Sequence, residues 1–202
     1  MRTAIPEPIR PLPLDRPEHA VRELAAILGE LRDAPHGSAA DLEVVAGETV
    51  DAAREQGAFL LAVVTPPDAT PAMLTGVVLE AAAPGLAESA DQLRDSLEDV
   101  GGPDVRETIM MDTALGPAVL LQRVPGVEQA RAGRPLTMQL QAFLPQPKTG
   151  RTILLTLATP SARGWAHHQQ LFSELVTSAC GPAPRSNNPS DEESFEHHTY
   201  QL

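Results

Sequence analysis

The 202-residue chain carries 27 acidic against 15 basic side chains, a formal charge of −12, which opposes binding to nucleic acid or an anionic membrane because both depend on Lys and Arg. A single cysteine, Cys180, excludes an intramolecular disulfide and a cysteine metal cluster. Aromatic residues make up only 3% of the chain, so the core must be built from Leu, Val and Ala.

Residues 1–16 are punctuated by Pro and read as an extended N-terminal arm. They contain no continuous apolar core of a signal peptide, and no stretch of the chain approaches the roughly 18 apolar residues of a membrane span. The expectation is a cytoplasmic protein without membrane insertion. Residues 17–180 read as one α+β domain. Asp15 and Pro17 open a helix in which Val21, Leu24, Ala25, Leu28 and Leu31 recur at helical spacing, closed by Pro35 and Gly37. Residues 38–56 read as a second helix capped near Ser38, with Gly47 in its middle leaving part strand as the alternative.

Strands follow at 58–64 and near 74–81. Leu86, Ala90, Leu93, Leu97 and Val100 then make one face of a helix whose other face carries Glu88, Asp91, Asp95 and Glu98. Gly101-Gly102-Pro103 ends it. Strands at 105–111 and 118–124 are joined across residues 112–117. The plainest pattern lies at 136–144, where Leu136, Met138, Leu140, Ala142 and Leu144 alternate with Thr137, Gln139, Gln141 and Phe143. Pro145 to Gly150 breaks the run, 152–159 resumes it, and Ser161 caps a last helix with Trp165, Phe172, Leu175, Val176 and Ala179 on one stripe. This is the signature of an antiparallel hairpin followed by an amphipathic helix. Four consecutive strands on short links predict an antiparallel meander within a sheet of about six strands covered by helices. Residues 181–202, rich in Pro and acids, read as a disordered acidic tail.

No candidate chemistry survives this pass. The adjacent pair His167 and His168 points about 100° apart on a helix and cannot face one metal. His197 and His198 lie in the acidic tail, without the fixed geometry a metal site needs. Cys180 follows a helix C-terminus, which disfavours a thiolate. The acids Glu88, Asp91, Asp95 and Glu98 form a solvated helix face, and no G-x-S-x-G, P-loop, GxGxxG or HExxH motif occurs. No catalytic, cofactor-binding or metal-ligating residue is therefore assigned, and no cofactor is expected.

The segment QLQAFLPQPKTGRTILLTLATPSARGWAHHQQLFSELVTSA, with its strand, Pro-x-Pro, Thr-Gly, apolar strand, Thr-Pro and Trp-bearing helix, resembles the PsbP-like superfamily in an actinobacterial branch, over residues 134–179. The resemblance implies an antiparallel sheet sandwiched by helices. It also implies a non-catalytic scaffold, since relatives include photosystem accessory subunits, a nuclear-import accessory factor and chaperones of secreted toxins. The expectation is a protein-binding accessory or chaperone-like adaptor of a bacterial secretion or multi-protein system, with a protein partner and no nucleic acid; the sequence assigns no oligomeric state. The alternative is a small-ligand-binding protein, or an enzyme whose site is assembled from scattered residues.

Overall fold

The computed structural model of the protein describes residues 8–31, 39–80, 90–102, 104–126, 137–146 and 149–179. Its centre is an open seven-stranded sheet in the order β1-β2-β3-β7-β6-β5-β4. The strands are β1 (Ile9–Pro11), β2 (Ala58–Val64), β3 (Ala72–Leu79), β4 (Val105–Thr113), β5 (Gly116–Arg123), β6 (Met138–Gln146) and β7 (Arg151–Thr159). Every neighbouring pair is antiparallel. Strands β4 to β7 form the expected meander, and the β2–β3 hairpin joins it by pairing β3 with β7. Seven strands stand where about six were expected because part of the proline-rich arm, Ile9–Pro11, adds to the free edge of β2.

Strand alternation divides the side chains between two faces. On the first, Leu140, Ala142 and Leu144 of β6 and Ile153, Leu155 and Leu157 of β7 are buried together with Leu171, Phe172, Leu175 and Val176 of α4 (Trp165–Thr177). On the second, Leu61 and Val63 of β2 are buried against Ala20, Leu24 and Ile27 of α1 (Pro17–Leu31) and Ala46, Val50 and Ala53 of α2 (Ala39–Glu55). The second segment is helical throughout, so Gly47 does not break it. Helix α3 (Ala90–Val100) packs on β4 and β5. It lies on the second face, because its Glu98 and Arg94 reach Thr108 and Met110, which alternate with the first-face residues Ile109 and Met111.

Two local expectations need correction. Val100 does not complete a buried stripe: it is 85% exposed, and α3 has no fully buried residue. Ser161 does not cap the last helix. Its Oγ accepts from the backbone N–H of Arg163, while Gly164, at φ 75°, is the residue that enters α4, with no side-chain cap. The Pro160–Gly164 segment is thus a turn, and the helix starts at Trp165. The proposed tail, Cys180 with it, and the segment carrying Leu86 and Glu88 lie outside the described residues.

Candidate functional site

The two histidines of the α4 pair diverge as helical geometry requires. His167 is exposed, whereas His168 is fully buried. The Nε2–H of His168 donates to the Thr70 carbonyl at 2.8 Å, tying α4 to the turn between β2 and β3. That turn is held again by the Thr70 N–H, which donates to the Arg163 carbonyl at 3.1 Å. Gly164 packs directly on Ala69, where no side chain would fit. Burial lowers the His168 pKa, the Thr70 hydrogen bond works against that shift, and the charge of His167 adds to it. The ring is therefore neutral at pH 7, with its lone pair on Nδ1.

Trp165 meets His168 edge-on, with ring centroids 6.4 Å apart. Trp165 Nε1 and His168 Nδ1 are buried without a hydrogen-bond partner among the described residues. With Nε2 engaged by a backbone carbonyl and Nδ1 shut from solvent, His168 acts here as a tether of α4.

The acidic row of α3 is held by neighbours. Arg94 pairs with Asp95 at 2.8 Å and Asp91 at 3.3 Å, and Glu98 accepts the Thr108 hydroxyl at 2.7 Å. Asp95 raises the Arg94 pKa through its hydrogen bond and charge. These carboxylates line a solvated helix, and the buried imidazole lies on the other side of the sheet.

Two further features were not legible as motifs. Beneath α4 a cavity of about 70 Å³ is lined by Glu107, Gln122, Gln169, Phe172 and Ser173 among others. The Gln169 amide donates to Gln122 Oε1 at 2.9 Å across it. Residues so far apart in sequence meet only because β5 and α4 share a face.

The second feature is apolar and lies on the same face, toward β2. A bulge between Ala58 and Leu60 displaces Phe59, whose ring lies over Gly76, a position where a Cβ would come within 2.9 Å of it. Phe59 remains 48% exposed, and Val78, two residues along β3 on that face, 37%. Helix α4 packs mainly over β4 and β6, away from this margin. The sequence hid the feature because Phe59 sits inside a run, Ala58 to Val64, that reads as uniformly buried.

Among the described residues no group of three or more His, Cys, Asp and Glu is placed to hold a metal ion. Nor is any described helix long and apolar enough to cross a membrane. The chain matches no protein-family model and no curated protein.

Proposed function

We propose that the protein is a non-catalytic, protein-binding accessory: a chaperone-like adaptor of a bacterial secretion or multi-protein system, working in the cytoplasm, with the PsbP-like superfamily as its relatives. The observation that carries this reading is the apolar margin at Phe59 and Val78, which α4 leaves open on the sheet. A half-exposed aromatic beside a second apolar residue is the kind of anchor at which a partner side chain gains most from leaving water. The net charge of −12 selects a partner that is neutral or basic around its apolar contact.

The test is capture from the native host with the tagged full chain, wild type and Phe59→Glu. A stoichiometric protein retained by the wild type and lost from the variant, with an unchanged melting temperature, supports the reading. Equal capture by both would overturn this surface. Turnover of a hydrolase, transferase or oxidoreductase substrate by the isolated protein would overturn the reading itself.

The cavity beneath α4 favours a second reading, a small-ligand binder. Its volume of about 70 Å³ is far below the roughly 300–1,000 Å³ of ligand pockets, so its occupant would be of the size of a few water molecules.

A further inference from the structure

The two edges of the sheet differ in a way that bears on self-association. The β1 edge is three residues long, contains Pro11, which offers no N–H, and is preceded by Pro8, which offers none either. Short, proline-bearing edges are how sheet proteins prevent further strand addition. The β4 edge is longer and less guarded at its centre: nine residues without Pro, with the charges Arg106, Glu107 and Asp112 and a bulge between Val105 and Glu107 confined to its two ends. Ile109 and Met110, at its middle, are 42% and 40% exposed.

Its sequence, Val-Arg-Glu-Thr-Ile-Met-Met-Asp-Thr, is self-complementary in one antiparallel register. With Ile109 opposite Ile109 of a second strand, all nine residues overlap, and at both ends Asp112 falls beside the bulge that carries Arg106. Sliding one residue toward Met110 sets Glu107 opposite Asp112, a like-charge pair made twice. Sliding the other way sets Arg106 against Met111 and Glu107 against Met110. Full overlap and charge pairing thus select the same register, and opposite charges across an antiparallel pair are favourable where like charges are not.

The faces agree as well. Asp112 shares a face with Met110 and Thr108, which contact α3. Arg106 borders a depression that it shares with Glu98 of α3, Thr108 and Glu107 at this end of the edge. A two-fold axis through the Ile109 pair and normal to the sheet keeps each face with its like, so the two side chains meet on one surface. Neither Arg106 nor Asp112 has an ion-pair partner among the described residues.

We propose that the protein forms a two-fold dimer by antiparallel pairing of β4 with β4 of a second copy, in the register that sets Ile109 opposite itself. The occupant of this edge is another molecule of the same chain, and the sheet becomes continuous through the dimer. The proposal is independent of the Phe59 margin, which lies near the opposite end of the sheet. The charge of −12 on each copy opposes association at low salt, so the measurement belongs at physiological ionic strength, where the Debye length is about 8 Å.

The test is sedimentation equilibrium of the full chain with a charge-swap series. The wild type should be dimeric. Arg106→Asp and Asp112→Arg, each placing like charges beside one another, should each weaken the dimer at least tenfold, and the double exchange should restore it. In a Cys180→Ser background, Ile109→Cys should give an intermolecular disulfide on oxidation, while Thr113→Cys, set near Val105, should not. Circular dichroism of each variant separates loss of the dimer from loss of the fold. A monomeric wild type overturns the proposal. So does a dimer that is indifferent to both single exchanges and yields no disulfide at position 109.

Discussion

His168 is worth more to the fold than its neighbour, and the difference is one of protonation. Because burial depresses its folded pKa, the unfolded chain binds the proton more readily, and stability rises with pH wherever that holds. The contribution is complete above the ordinary value of 6.5 and is lost as pH falls from there toward the depressed folded value. The urea midpoint should therefore drop between pH 7.5 and 5.5. His167→Gln, at an exposed site, should keep most of that dependence, removing only the smaller contribution of the His167 charge. Phe172, 1% exposed, fills the core between α4 and the sheet, and Phe172→Ala should cost about 3–5 kcal/mol in a denaturant titration. An unchanged melting temperature would contradict its placement. Its burial was legible from the stripe on the last helix. That of Trp165 was legible only in part: it is half-buried, because it stands in the first turn, where α4 leaves the turn that holds it.

Among the elements, the β6–β7 hairpin was the most legible, since alternation over two nine-residue strands leaves one register that buries both apolar sets. The start of α4 was not, because Ser161 has the chemistry of a cap while the turn geometry is decided by Gly164. A pair of glycine substitutions checks that distinction. Gly164→Ala meets a positive φ and the side chain of Ala69, and should destabilise by about 1–3 kcal/mol. Gly47→Ala, within α2 and with nothing beyond the backbone of its own helix within 4 Å of the added methyl, should stabilise by about 0.5–1 kcal/mol. Thermal unfolding of the two variants should move in opposite directions. Strand β1 escaped the reading because its prolines, which mark an arm in sequence, are also what an edge strand tolerates.

At the scale of the molecule, the layer order was legible from the run of elements, since four strands on short links leave few topologies. The pairing of β3 with β7 was not, because nothing local in either strand specifies so distant a neighbour. The candidate surface was illegible for a related reason: Phe59 is exposed by a bulge and by where α4 lies, neither of which is written in residues 58–64. The composition of residues 181–202 predicts that a chain truncated after Gly181 keeps its melting temperature within a few degrees. A large drop would show the tail docked on the domain, and an intact fold that no longer captures its partner would mark the tail as part of the contact.

The β3–β7 junction also sets a timetable. Met73 pairs with Ala158, so the strand that closes the sheet is made last of all, roughly 85 residues after the one it joins. At about 5–20 residues per second, the ribosome leaves β3 with an open inner edge for roughly 4–17 s. During that interval the β2–β3 hairpin, backed only by α1 and α2, shows a row of free backbone groups beside Met73, Val77 and Leu79. A molecule read here as a companion of other chains is therefore, for the first seconds of its own existence, in need of one.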